Sequence, residues 1–185
     1  MTSFKFDPKQ YSFPPGNFSF ISKFEGWMKK LGIGDTFPSL SIKLVGGNEF
    51  RVPEDFGSKY GVVLFYRGHW WPYCCRQLDG FEKHHAELQK IGVSVFAASV
   101  DNLQNAAKVA HGKSFQFGYG VSREHGDLLG SWWEERRQII QPSEFFIRCS
   151  DRQILGSSYS DGPLARLDAS DLIKHIIFNE SQGRF

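Results

Sequence analysis

The feature that most constrains this chain is the run Gly61-Val62-Val63-Leu64-Phe65-Tyr66-Arg67-Gly68-His69-Trp70-Trp71-Pro72-Tyr73-Cys74-Cys75. Residues 61–66 are almost wholly apolar and read as a buried strand. Pro72 suits the first position of a helix, where a missing N–H costs nothing. Beyond it Cys74, Leu78, Phe81, His85 and Leu88 recur at spacings of 4, 3, 4 and 3, one face of a helix over about 72–90. A strand that feeds a helix through so short a turn demands an α/β arrangement. It also holds Arg67, His69, Trp70 and Trp71 at the end of the strand.

The remaining pattern extends that unit. Leu40, Ile42 and Leu44 alternate with polar residues, Gly46-Gly47-Asn48 turns the chain, and Phe50 and Val52 resume the alternation, which predicts a hairpin. A second buried strand is expected over 91–100 and a helix over 103–111. A short extended piece should follow at 115–119, then a helix near 125–135. Residues 143–149 and 154–159 flank the turn Ser150-Asp151-Arg152-Gln153 as a second hairpin. A closing helix over 168–179 places Leu172, Ile173, Ile176 and Ile177 inward. Strands alternating with helices, then a hairpin and a helix, give an α/β sandwich around a central mixed sheet flanked by helices. Residues 1–33, Phe-rich and carrying Pro14-Pro15-Gly16, read as an N-terminal arm with a short helix around 20–31. The domain proper spans 34–180, and 181–185 form a tail.

Composition narrows the function classes. Of 185 residues, 41% are hydrophobic and 16% aromatic, enough for a core that needs no disulfides. A net charge of +2 with no Lys/Arg block argues against a nucleic-acid partner. No apolar run has the length of a membrane helix, and residues 1–8 lack a signal-peptide pattern. Three cysteines, Cys74, Cys75 and Cys149, make no disulfide framework. The expectation is a cytoplasmic protein with reduced thiols and no membrane partner. His84-His85 with Glu87 lacks a zinc spacing, no glycine-rich stretch fits a phosphate loop, and no Ser-His-Asp nucleophile signature is legible. No metal and no cofactor are expected.

Five segments in order carry a resemblance over residues 34–180: Gly34-Asp35-Thr36-Phe37-Pro38, the turn Phe65–Cys74, Val100-Asp101, Gln141-Pro142-Ser143-Glu144-Phe145, and Ser158-Tyr159-Ser160-Asp161-Gly162-Pro163. Together they resemble the peroxiredoxin-like branch of the thioredoxin superfamily, the alkyl hydroperoxide reductase/thiol-specific antioxidant proteins. The resemblance implies a thioredoxin-like fold and a thiol that reduces peroxide or disulfide with an external thiol reductant. It also implies Pro142 as a cis proline facing the redox turn, and a possible homodimer. It places the usual nucleophilic cysteine at Trp71 and the second one at Cys74, and a Thr or Ser usual upstream falls on Gly68.

The candidate residues follow. Cys74 lies on the inward face, either as a buried filler or as a redox thiol. Cys75 sits about 100° around the helix and more exposed. Arg67, Arg76 and the helix N-terminus are expected to lower its pKa, unless it is a bystander. Arg67 would shape the pocket electrostatically and His69 would give or take a proton. Trp70, Trp71 and Tyr73, with Pro142, Ser143 and Glu144, would form the wall that meets substrate. Two functions remain open. One is a thiol-dependent oxidoreductase working through Cys74 or Cys75. The other is a redox-inactive binding or regulatory protein that uses the aromatic cleft around Trp71.

Overall fold

A computed structural model describes residues 29–185. The arm helix expected around 20–31 lies outside the described residues except for its end, and 29–31 are not helical. Nine strands and five helices follow in the order β1 (Leu40–Leu44), β2 (Glu49–Val52), β3 (Tyr60–Phe65), α1 (Pro72–Lys83), α2 (His85–Lys90), β4 (Val93–Ala98), α3 (Leu103–Ala110), β5 (Gln116–Tyr119), α4 (Arg123–Leu129), β6 (Trp133–Glu134), β7 (Ile139–Ile140), β8 (Ser143–Arg148), β9 (Gln153–Tyr159) and α5 (Ala169–Ser181). The main sheet runs β2-β1-β5-β4-β3-β8-β9. Strands β3, β4 and β5 are parallel, while β8, β9 and the β1–β2 hairpin pair antiparallel, so the sheet is mixed.

All six residues of β3 are buried because both sheet faces are covered. Alternation sends Val62 and Leu64 to one face, against Cys74, Leu78 and Phe81 of α1 and Leu172, Ile173 and Ile176 of α5. Val63 and Phe65 go to the other face, with Phe37, Ile42, Phe96, Phe145 and Ile147. Phe145 is the hub there, its ring 5.2 Å from Phe37, 5.6 Å from Tyr159 and 6.5 Å from Phe65.

Several boundaries differ from the sequence reading. The single helix expected over 72–90 is interrupted at His84, whose φ of −102° and ψ of 7° leave the helical range. The helix expected near 125–135 begins at Arg123 and stops at Leu129. Gly130 there turns left-handed at φ 64°, and Trp133–Glu134 pair with Ile139–Ile140 instead. Ile177 is 51% exposed, because one step past Ile176 rotates it off the inward stripe. The one cis peptide bond among the described residues is Val52–Pro53, so Pro142 is not cis. The Pro142 carbonyl accepts from the Ser160 N–H at 2.9 Å as the chain enters β8.

Pro142, Ser143 and Glu144 are buried, which corrects their expected place on an open substrate wall. Ser143 turns its hydroxyl to the Gln141 carbonyl at 3.1 Å, and its backbone sits opposite Phe65. Glu144, 1% exposed, instead ties loop 160–168 across α1. Its carboxylate accepts from Gln77 Nε2 at 2.9 Å and from the Leu167 N–H at 2.5 Å. Arg166 Nη1 stands 3.8 Å away, and Arg166 Nη2 donates to the Gly162 carbonyl at 2.8 Å. Burial raises the Glu144 pKa above its ordinary 4.5 and outweighs these favourable contacts.

Two outcomes test this architecture. Phe145→Ala is expected to lower the unfolding free energy by about 3–5 kcal/mol in urea titrations, and a loss below about 1 kcal/mol would remove Phe145 as the hub. For Glu144 the native state holds the proton more tightly than the unfolded chain does. Its contribution is therefore greatest below pH 4.5 and declines as pH rises through the raised native value. Thermal midpoints across pH 4–8 should fall with rising pH relative to Glu144→Gln. Parallel curves would remove that assignment.

Candidate active site

The parallel strands β3 and β4 end side by side, and the chain emerging from each supplies the site. From β3 come Arg67, Gly68, His69, Trp70 and Trp71. From β4 come Ser99 and Asp101. Gly68, at φ 151°, has room for no more than hydrogen: a Cβ there would stand 2.8 Å from Trp70 Nε1 and 3.2 Å from Asp101 Oδ1.

Asp101, 8% exposed, grips His69 twice. The His69 N–H donates to Oδ2 at 2.7 Å, and ring Nδ1 lies 2.8 Å from Oδ1. The Ser99 hydroxyl donates to the same Oδ2 at 3.0 Å and accepts the Asp101 N–H at 3.2 Å. A carboxylate only accepts, so Nδ1 carries a proton, and in the neutral ring Nε2 is the nitrogen with the lone pair. The sequence reading did not single out Asp101 or Ser99 for this role. The available signal was Asp101 closing a strand parallel to β3, since adjacent parallel strands bring their C-terminal ends together.

Cys75 and His69 share a cleft of about 280 Å³ with Lys108, Val109 and Lys113. Cys75 Sγ lies 3.4 Å from the His69 carbonyl oxygen. Lys113 is held by Asp79 at 2.8 Å, and Lys108 by the Asn105 side chain at 3.0 Å. Cys74 is fully buried, with Arg166 Nη1 at 3.5 Å from its sulfur.

The thiols are not acidified, contrary to the sequence expectation for Cys75. Burial raises the Cys75 pKa first, with Cys74 and Asp79 adding to it and Lys113 opposing. The Arg76 guanidinium leans over the Tyr73 ring at 5.2 Å instead of reaching the sulfur. Burial likewise raises Cys74 against the pull of Arg166, and pushes Cys149 up to about 11.

Trp71, at the N-cap of α1, is half-buried and packs on Arg67, whose Cζ lies 4.6 Å from its ring centroid and 5.9 Å from that of Trp70. Arg67 is 9% exposed, and among the described residues it makes no side-chain hydrogen bond or ion pair. Trp70 and Tyr73 are 41% and 40% exposed, and with Trp71 they form an aromatic collar at the start of the helix. Among the described residues no three or more His, Cys, Asp or Glu side chains gather as a metal site, and no helix is long and apolar enough to cross a membrane.

Known proteins share this fold. Residues 33–152 match the AhpC/TSA family. The chain is 30% identical to Peroxiredoxin 1 of Picrophilus torridus over 79 residues, 43% of this chain and 32% of that protein. It is 37% identical to Alkyl hydroperoxide reductase C of Amphibacillus xylanus over 57 residues, 30% of each. These matches span about a third of the length of the curated relatives. The fold resembles Mycobacterium tuberculosis AhpC with a TM-score of 0.69 at 16% identity, covering 83% of this chain and 96% of that one. It resembles Enterococcus faecalis AhpC with a TM-score of 0.66 at 19% identity, covering 84% and 97%. With the family matched over more than half its length and the sandwich shared, this chain belongs to the AhpC/TSA family, within the peroxiredoxin-like thioredoxin superfamily.

Proposed function

We propose that this chain is a thiol-dependent antioxidant oxidoreductase whose reacting group is Cys75. The observation that carries the reading is the placement of Cys75. It is the α1 thiol that reaches an open cleft, beside a carboxylate-held histidine and two lysines. The substrate is a small peroxide. The Cys75 thiolate attacks one peroxide oxygen, an S–O bond forms, the O–O bond breaks, and the released alkoxide or hydroxide takes a proton. An external thiol then displaces water from the sulfenic acid to give a mixed disulfide. A second thiol releases the reduced cysteine and carries away the disulfide. Cys74 packs against Arg166 beneath the turn and has no part in the first step. Three free cysteines suit a reducing cytoplasm, and a homodimer accords with the family resemblance.

A second reading has its own observation. The Trp71 ring, which the resemblance puts at the family's nucleophile position, lies against Arg67, and the exposed Trp70 and Tyr73 surround it. That collar would bind a flat ligand without redox chemistry.

Intact mass of the reduced protein after one equivalent of hydrogen peroxide separates the two. The wild type, Cys74→Ser and Cys149→Ser are expected to gain one oxygen, and Cys75→Ser is expected to gain none. Trp71→Cys serves as the reactive control. If only that control reacts, the thiol reading is lost and a thermal-shift screen of aromatic ligands tests the other. Brief alkylation of the folded protein should leave buried Cys74 untouched and modify Cys75 ahead of Cys149, whose thiol is pushed up to about 11.

A further inference from the structure

The geometry points to an acid–base relay, Ser99–Asp101–His69, that serves the Cys75 cleft and turns an unactivated thiol into a usable one. The inference rests on Cys75 as the reacting group and goes beyond it by assigning where the proton travels.

Three features of the site support the relay. The Asp101 carboxylate is buried and spends both oxygens on His69, one on its backbone N–H and one on ring Nδ1. With its backbone N–H held by one oxygen and ring Nδ1 by the other, the His69 ring is oriented at Nδ1, and Nε2 is the nitrogen left for exchange. Ser99 fixes the carboxylate in turn by donating to Oδ2 and receiving the Asp101 N–H, so the strand end after β4 sets the whole chain of contacts. The third feature is the shared cleft: His69 and Cys75 line the same open space, and Cys75 Sγ lies 3.4 Å from the His69 carbonyl oxygen. A buried hydrogen-bonded carboxylate behind an imidazole in the same cleft as a thiol is the set of groups by which nucleophiles are activated when their own pKa is unhelpful.

The step balances within these groups. His69 Nε2 takes the proton from the Cys75 thiol, leaving thiolate and imidazolium. The thiolate attacks the peroxide oxygen, the S–O bond forms, the O–O bond breaks, and its electron pair leaves on the departing oxygen. The imidazolium returns the proton to that oxygen. The products are the Cys75 sulfenic acid and one molecule of alcohol or water, and His69 is neutral again. Asp101 and Ser99 are positioning residues, since neither touches the reacting atoms.

The relay predicts a pH signature. The charged groups facing Cys75 are Cys74 and Asp79 of α1, Lys108 of α3 and Lys113 beyond it, and Asp101 faces His69. A step needing both thiolate and imidazolium depends on a pair whose population is constant between the two titrations. Its rate is therefore nearly level from about pH 7.5 to 9. A step needing thiolate alone climbs about tenfold per pH unit.

The test is single-turnover oxidation of the reduced full chain by hydrogen peroxide from pH 7 to 9, followed by intact mass, for wild type, Asp101→Asn and His69→Gln. Alkylation by iodoacetamide is run in parallel. Iodide leaves without a proton, so alkylation should climb about tenfold per unit in all three proteins. The wild-type peroxide rate should vary by less than about threefold across pH 7.5–9. Both variants should be slowed by about thirtyfold or more at pH 7.5 and converge on wild type toward pH 9. His69→Gln carries the test should Asp101→Asn fail to fold. A wild-type peroxide rate that climbs with pH as alkylation does, matched by the variants, overturns the relay and leaves Cys75 peroxidation standing. A wild type that takes up no oxygen while its Cys75 alkylates normally overturns both.

Discussion

Strand β3 is buried on both faces and hydrogen-bonded along both edges, to β4 in parallel and to β8 antiparallel. Its position leaves the chain one direction in which to leave the sheet. Residues 67–71 must exit where β4 also ends, and they must turn into α1 at once because Cys74, Leu78 and Phe81 are needed to cover Val62 and Leu64. The site is a consequence of that packing. Asp101 meets His69 because two parallel strands of matched register finish together. Glu144 meets Gln77 because β8 runs back along the other edge.

At the helix start an indole, Trp71, stands at the N-cap of α1, and the groups around it are only partly satisfied. Arg67 is buried and rests on the face of Trp71, with no carboxylate partner among the described residues. A desolvated cation–π contact contributes about 2 kcal/mol, less than the several kcal/mol that burying a cation costs. Among the described residues, Arg67 Nε and Trp71 Nε1 are both buried without a hydrogen-bond partner.

Much of this fold was legible because its signals are local. The apolar run before Pro72, the period-2 pattern around Gly46-Gly47 and the face Cys74–Leu78–Phe81 each carry their own periodicity, and each reappears as β3, β1–β2 and α1. The misplaced boundaries have local physical causes that periodicity does not register, such as the left-handed turn at Gly130 and the one-step rotation that exposes Ile177. The site was only half legible. Arg67, His69 and Cys75 stand out because they adjoin the turn. Asp101, Lys113 and Arg166 reach it from 26 or more residues beyond Cys75, and only sheet order and loop path bring them there. Glu144 was read as a substrate contact because it follows Pro142 in the segment that the resemblance sets beside the turn, while its side chain accepts from Gln77 of α1.

Why Cys75 needs help follows from helix geometry. The positive end of a helix acts mostly on groups at the N-cap and in the first turn. In α1 the N-cap is Trp71, and Cys75 is the fourth helical residue. Its own N–H is already spent on the Trp71 carbonyl at 3.2 Å, as is that of Cys74 at 3.1 Å. A thiol at the N-cap would be acidified by the helix itself. A thiol one turn later gains little from it, and pays for burial beside Cys74 and Asp79. Lys113 alone does not reverse that balance, since Asp79 shares its charge. With Cys75 as the proposed reacting thiol, the burden of activation would fall on a positioned base instead of a lowered pKa, and His69 lines the same cleft.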